Sequence, residues 1–260
     1  PVHFSGLSCD MEKIHALSKK YGFHIIEDAS HAIGGRYKET IIGCSQYSDI
    51  TIFSFHPVKI ITTAEGGMAV TNNSYLAREM QLLRSHGITR ETEELIHESH
   101  GAWYYEQQQL GFNYRMTEMQ AALGVTQLKH LNEWVAKRHE LARRYDQLLA
   151  DLPVILPIHS QEHYSGLHLY VIQLDEKKTN LDRKYVFNEL RNLGIGVNVH
   201  YIPVHIQPDY QKLGFQLGDF PKSEYYYQHC ISLPLFATLT YDQQDQVVNT
   251  LAQILLGQHS

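Results

Sequence analysis

The stretch Asp49-Ile50-Thr51-Ile52-Phe53-Ser54-Phe55-His56-Pro57-Val58-Lys59-Ile60-Ile61-Thr62-Thr63-Ala64-Glu65-Gly66-Gly67 decides the fold. It opens with a compact apolar run at residues 49–55, too short for a helix, which reads as a buried strand. A loop follows, a double glycine closes it, and residues 67–71 give a further strand ended by Asn72-Asn73. Residues 75–85 then read as a helix. Upstream, residues 23–26 form another short apolar run between Gly22 and Glu27-Asp28, again a buried strand. Before it, residues 10–21 carry Met11, Ile14 and Leu17 at helical spacing, with Asp10 as N-cap and Gly22 as the stop. Residues 2–4 read as the end of a strand already under way. Strands that alternate with helices imply an α/β fold, with a mostly parallel sheet covered on both faces.

Further along, residues 86–111 are polar and show little periodicity, so a long loop is expected there; loops of that length are usually functional or mobile. Thr117 and Gln120 have capping-box spacing, which opens a helix through about residue 131. A second amphipathic helix covers 133–149. Asp151-Leu152-Pro153 marks a boundary, so the expected division is 1–131 and 132–260, the second part a smaller α/β domain with its connecting helix. Within it the pattern predicts strands at 167–174 and 196–200, helices at 183–193 and 242–256, and a short helical stretch near 223–230. No internal repeat or low-complexity segment is visible.

The chain has 260 residues, 43% hydrophobic and 19% charged, ordinary for a globular protein with a real core. No apolar run approaches the roughly 20 residues that span a bilayer, so no membrane partner is expected. A net charge of −6 argues against nonspecific nucleic-acid binding. Cys9, Cys44 and Cys230 are too scattered for a disulfide framework or a zinc knuckle, which fits a reducing cytoplasm. No signal peptide is visible. The chain begins at Pro1 with no initiator Met, so it is expected to be a piece of a longer protein. Seventeen His make the net charge sensitive to mild acid.

Ser54 and Lys59 stand five residues apart after an apolar strand, before a double glycine. That is the layout of a lysine that forms a Schiff base with pyridoxal phosphate (PLP). Such a lysine needs an accessible neutral form, which burial and neighbouring charges can provide. A protonated pyridine nitrogen needs a carboxylate beside it, and Asp28 sits just past a predicted strand, where open α/β sheets bind ligands. Taken singly, each residue also has a plain structural role: Asp28 as a turn or cap residue, Lys59 as a solvated loop lysine, Ser54 as a polar strand end. The rival motifs are weaker. His97-Glu98-Ser99-His100 spaces its His at i, i+3 rather than the i, i+4 of a zinc helix, so no metal is expected. Gly194-Ile195-Gly196 lacks the third glycine of a dinucleotide fingerprint, and there is no G-x-S-x-G elbow. The tyrosines at 225–227 read as packing.

The runs EDASHAIGG (27–35), FSFHPVKIITTAEGG (53–67), LRSHG (83–87), GFNYRMTEMQAALG (111–124), GIGVNVHYIPVH (194–205) and ISLPLF (231–236) resemble the DegT-type nucleotide-sugar aminotransferases, of fold-type I PLP architecture. The resemblance runs over nearly the whole chain, and the ordered set is specific. It implies Lys59 as the PLP lysine and proton carrier, Asp28 at the pyridine nitrogen, His31 against the ring or its 3′-oxygen, and Ser54 on the phosphate. It further implies that Asn113 reaches the phosphate of a neighbouring subunit, hence a homodimer with a shared site. Arg115, His200, Tyr201 and His205 are candidates for substrate contacts or, equally, polar structural residues. Within the family the texture is nearest to the transaminases of pseudaminic acid biosynthesis. That implies glutamate as donor and a UDP-linked 4-keto-6-deoxy sugar as acceptor; other nucleotide keto-sugars stay open. Two other readings compete: a non-catalytic relative that only binds ligand, and a sugar dehydratase of the same fold. Lys59 disfavours both, the second because dehydratases typically carry His there. Family members also carry a preceding segment, about a third of their length. It supplies a Gly/Ser/Thr phosphate loop, an aromatic that stacks on the ring and several strands, none of which is found here. The resemblance thus implies weaker PLP binding by this piece, and an exposed sheet edge.

Overall fold

A computed structural model of the protein describes residues 1–160 and 162–257, which fall into two compact units, Pro1–Leu131 and Asn132–Ser260.

The first unit opens with α1 (Met11–Tyr21), whose N-cap Asp10 accepts the Lys13 N–H and whose stop, Gly22, takes the left-handed conformation at φ 72°. Strands β1 (Ile26–Asp28), β2 (Arg36–Tyr37), β3 (Thr40–Ile41), β4 (Ile50–Ser54) and β5 (Gly67–Val70) follow. The central sheet has the order β1-β4-β5. β1 and β4 are parallel, with Ile26 opposite Ile50 and Asp28 opposite Ile52. β5 is antiparallel to β4, with Ser54 opposite Gly67, because the connection at 55–66 folds no crossover helix and the chain turns straight back. Next come α2 (Ser74–Arg84), capped by the Asn73 side chain, then β6 (Ile88–Thr89), β7 (Glu106–Gln107) and α3 (Glu118–Leu128). The Thr117/Gln120 capping box of α3 is complete.

Three expectations shift in this unit. The strand placed at 23–26 begins at Ile26. Phe23 is exposed, and Ile25 is the residue that swings inward, its N–H held by the Asp49 carboxylate at 2.7 Å. One sheet face is only partly covered: Ile26 and Ile52 share it and are 51% and 40% exposed. Residues 2–4 supply only a parallel bridge from Val2 to Asp28, after which Phe4–Gly6 turns as a short 3-10 helix. Beneath that bridge His3 and Glu27 are buried against each other at 2.6 Å, and Glu27 also accepts from Ser48 and from Thr51 (3.3 Å).

The 86–111 segment is more ordered than a plain loop. β6 and β7 pair antiparallel, and the Glu106 carboxylate accepts from Ile96 N–H (2.6 Å), His97 N–H (2.8 Å) and the Tyr104 hydroxyl (3.0 Å).

The second unit comprises α4 (Leu131–Leu148), β8 (Val154–Ile155), β9 (His163–Tyr164), β10 (Tyr170–Leu174), α5 (Arg183–Asn192), α6 (Pro208–Gln211), α7 (Pro221–His229), β11 (Cys230–Leu233) and α8 (Tyr241–Leu256). Its antiparallel sheet runs β11-β10-β8. Tyr145, Tyr170, Ile172, Leu190, Ile231 and Leu251 meet in one continuous core. At the edge of that core the buried Arg138 guanidinium donates to the carbonyls of Leu167 (3.2 Å), His168 (3.2 Å) and Leu235 (2.9 Å). Residues 196–200, expected as a strand, make only a bridge between Asn198 and Ser232, closed by two hydrogen bonds before the chain departs. Among the described residues no helix is long and apolar enough to cross a membrane.

Candidate active site

Because β1 and β4 run parallel, their C-terminal ends point the same way, the position where open α/β sheets gather ligand-binding side chains. Asp28 ends β1 and Ser54 ends β4, and the register puts both on the same face. Lys59 lies five residues beyond Ser54 in the connection to β5. Both Asp28 and Lys59 are half-buried. Burial works against the Asp28 charge, but hydrogen bonds from Ser30 and the positive groups His31 and Lys59 outweigh it and hold the carboxyl below its ordinary value. Burial lowers the Lys59 ammonium, and the Asp28 charge offsets part of that shift. Acid and amine are therefore electrostatically coupled, with burial the larger influence on each. Asp28 also serves as a turn acceptor for Ser30 N–H at 3.0 Å, so its structural and electrostatic roles coexist. His31 is buried beside Phe4, and its Nδ1 accepts the Ser5 N–H at 3.2 Å, which in the neutral ring puts the proton on Nε2.

The connection carrying Lys59 is packed rather than solvated: Ile60, Ile61 and Thr63 are all buried. The Phe55 carbonyl accepts from Thr63 N–H (3.0 Å) and the Thr62 hydroxyl (2.8 Å), and Phe55 N–H reaches Gly66 (2.9 Å). Two glutamines of α3 reach across to it. Gln127 Oε1 accepts the Thr62 N–H at 2.8 Å, and Gln120 Nε2 donates to the Glu65 carbonyl at 2.9 Å. The sequence marks Gln120 only as a capping residue and Gln127 not at all. The Gln-x3-Gly-x2-Gln stripe at 120, 124 and 127 is the signal that could have found them.

Two motifs far apart in sequence are laced together by their backbones. His86 N–H donates to Phe112 (2.8 Å), Phe112 N–H to Leu83 (2.7 Å), and Tyr114 N–H to Arg84 (2.9 Å). The close approach depends on glycine at both crossing points: a Cβ on Gly87 would lie 1.9 Å from the Gln109 carbonyl oxygen, and one on Gly111 would lie 2.2 Å from the Gly87 nitrogen. Asn113 and Arg115 are exposed beside Ser85 and Arg84 as a result. Arg115 lines a cavity of about 520 Å³ with Arg84, Arg90, Arg78 and Thr89. Arg78 is committed to Glu94 and Thr89, while Arg90 lies over the Tyr105 ring at 5.4 Å.

In the second unit, His200 Nδ1 lies 2.7 Å from the Ser232 hydroxyl, and Tyr201 is 51% exposed. The remaining candidate here is His205. It is buried with Nε2 at 2.8 Å from Glu224, whose carboxylate also accepts Gly218 and Phe220 N–H, so His205 braces the loop ahead of α7. His97 faces Glu106 at 3.0 Å, and no group of three or more His, Cys, Asp or Glu among the described residues is placed to hold a metal.

The chain is 39% identical over 260 residues to the spore coat polysaccharide biosynthesis protein SpsC of Bacillus subtilis, covering 99% of this chain and 66% of SpsC. Its structure superposes on PseC of Helicobacter pylori, an aminotransferase involved in the biosynthesis of pseudoaminic acid, with TM-score 0.89 and 33% identity, covering 98% of this chain and 66% of PseC. It also superposes on the PLP form of the sugar aminotransferase Spr1654 of Streptococcus pneumoniae (TM-score 0.86, 28% identity, 100% of this chain and 68% of that one). The chain therefore spans just under two thirds of the length of SpsC and PseC. Its α/β architecture is that of the fold-type I PLP-dependent aminotransferases. Residues 1–252 match the DegT/DnrJ/EryC1/StrS aminotransferase family, and the chain belongs to it.

Proposed function

We propose that the protein to which this chain belongs is a PLP-dependent aminotransferase, moving an amino group from glutamate to a UDP-linked 4-keto-6-deoxy sugar. Pseudaminic acid or a related surface glycan is the product line we favour. The observation that carries this is the placement of Asp28 and Ser54 at the C-terminal ends of parallel β1 and β4, with half-buried Lys59 in the connection that follows. These residues fit the cofactor. Asp28 stays ionised and can pair with a protonated pyridine nitrogen. Lys59 is held where burial favours its neutral amine. When bound, PLP supplies the electron sink that lets an amino-bearing carbon give up its proton. Lys59 Nζ would take up the proton from the donor carbon in the first half of the reaction and deliver one to the acceptor carbon in the second. Ser54 Oγ donates to the cofactor phosphate, and His31 walls the ring. Asn113 serves a phosphate of the neighbouring subunit in a homodimer. Arg115 is assigned to the phosphates of the nucleotide sugar, supported by the cavity it lines with Arg84 and Arg90. His200 and Tyr201 remain assigned to the sugar. The working compartment is the cytoplasm.

The test adds PLP to the protein, treats it with borohydride and maps the modified residue. Label on Lys59, with loss of turnover by about 10²–10⁴-fold or more in the full-length Lys59→Ala variant, is expected. Label confined to other lysines, or turnover retained by that variant, rejects the assignment.

A further inference from the structure

The connection that presents Lys59 is anchored from outside by one helix face. Gln120, Gly124 and Gln127 stand at i, i+4 and i+7 on α3, so they share a face. Each meets a successive part of the segment behind Lys59. Gln127 accepts the Thr62 N–H, Gln120 donates to the Glu65 carbonyl, and a Cβ on Gly124 would lie 2.7 Å from Thr63 Cγ2. Gln120 is itself fixed at the other end of its amide, since Oε1 accepts the Thr117 N–H at 2.9 Å. Thr62 is three residues from Lys59, and between them Ile60 and Ile61 are sunk into the unit. Thr62 also donates its hydroxyl to Phe55 and accepts the Ala64 N–H at 3.0 Å, so a shift of Thr62 is felt on both sides of Lys59.

We propose that Gln120 and Gln127 are positioning residues for the Lys59 amine, and that the Gln-Gly-Gln face of α3 works as a two-point clamp holding Lys59 beside Asp28. The two points differ in sense. Position 127 must supply an acceptor and position 120 a donor. Glutamate at 127 keeps an acceptor for the Thr62 N–H. Glutamate at 120 loses the donor and sets a carboxylate against the Glu65 carbonyl, which repels it. The inference rests on the proposed function only in naming Lys59 as the reactive amine.

The experiment reads the unliganded Lys59 amine. Reductive methylation is followed by peptide mass across a pH series for wild type, Gln127→Ala, Gln127→Glu, Gln120→Ala and Gln120→Glu. Wild-type Lys59 titrates below an ordinary lysine. Gln127→Ala, Gln120→Ala and Gln120→Glu should move the midpoint up toward the ordinary lysine value, while Gln127→Glu stays with wild type. Amide exchange at Thr62 runs in parallel on the same proteins: protection should fall at least about tenfold in Gln127→Ala and survive in Gln127→Glu. A wild-type midpoint in all four variants overturns the clamp, as does Gln127→Glu behaving like Gln127→Ala. If Gln127→Ala fails to fold, the opposed behaviour of the two glutamate variants decides alone. Borohydride trapping on wild type separates the two ideas: unlabelled Lys59 there sinks the PLP assignment and leaves the clamp to be judged by the titration.

Discussion

Asp28 and Lys59 shift each other in opposite senses. The amine stabilises the carboxylate, and the carboxylate holds on to the amine's proton against the pull of burial. Replacing Asp28 by Asn keeps the shape and the Ser30 turn acceptor but deletes the charge. Lys59 then faces burial without its counter-ion, so its titration should move further down from 10.5. The pH dependence of Lys59 methylation in Asp28→Asn measures this directly, and an unmoved midpoint would show the two groups to be independent. Because the Lys59 pKa is already lowered in the folded state, the free amine is present over a wider range on the alkaline side than in an unfolded chain. In the full-length protein Asp28→Ala should cripple the chemistry, since among the described residues β1, β4 and β5 place no other carboxylate on that face. Near-normal single-turnover rates would count against that role.

At the scale of elements, the lacing between the end of α2 and residues 109–114 is the feature that sets Asn113 and Arg115. Gly111→Ala would drive a methyl into the Gly87 backbone, which cannot move aside as a side chain can. A cost of about 2 kcal/mol is expected, within the range for strained backbone sites. It should appear as lost amide protection at His86 and Phe112, with β10 and β11 unaffected; equal protection in the variant would show that the lacing tolerates a Cβ. A second element-level prediction concerns acid. Glu106 is pulled from 4.5 to about 2, chiefly by the Ile96 N–H, with the His97 N–H and the Tyr104 hydroxyl adding to it. Its folded pKa is depressed, so its contribution to order in 96–108 is complete above 4.5 and fades as pH falls toward 2. Proteolysis or exchange of that segment should rise over this window in wild type, and Glu106→Gln should flatten the dependence.

What could be read in advance follows the same physical divide. Asp10, Thr117 and Gly22 act within a few residues of themselves, and capping chemistry is local, so those helix ends were legible, while Asn73, read only as a strand end, also caps α2. Thr240 and Gln243 form a second complete capping box that the same rule would have found. The strand at 230–233 was hidden because Cys230 also closes α7, and helical and strand patterns overlap there. Residues 196–200 look like a strand, but strand pairing is non-local, and the chain leaves the edge of β11 after a single bridge. At the site, Asp28 and Ser54 could be named as candidates because they follow apolar runs, and Lys59 because it stands five residues beyond Ser54, ahead of a double glycine. Gln120 and Gln127 could not, because what they do depends on which backbone groups a distant loop presents.

Across the whole molecule, the residues proposed to meet the cofactor, namely Asp28, His31, Ser54, Lys59 and Asn113, all lie in the first unit. The second unit has a continuous core of its own, from Leu141 on α4 to Leu255 on α8. The first keeps apolar sheet residues such as Ile26 and Ile52 partly in solvent. A ligand that binds only the folded state stabilises by RT ln(1 + [L]/Kd), about 2.7 kcal/mol at a hundredfold excess over Kd, and only the segments that fold with the site share in it. Saturating PLP should therefore slow amide exchange in β1, β4 and the 55–66 connection while leaving β10, β11 and α8 at their unliganded rates. Lys59→Ala should lose most of that gain, because the covalent attachment goes with the amine. Asp28→Asn should keep the attachment and lose the part due to the ring contact. Uniform slowing of both units, or protection in the second alone, would move the cofactor away from the sheet end where Asp28 and Lys59 meet.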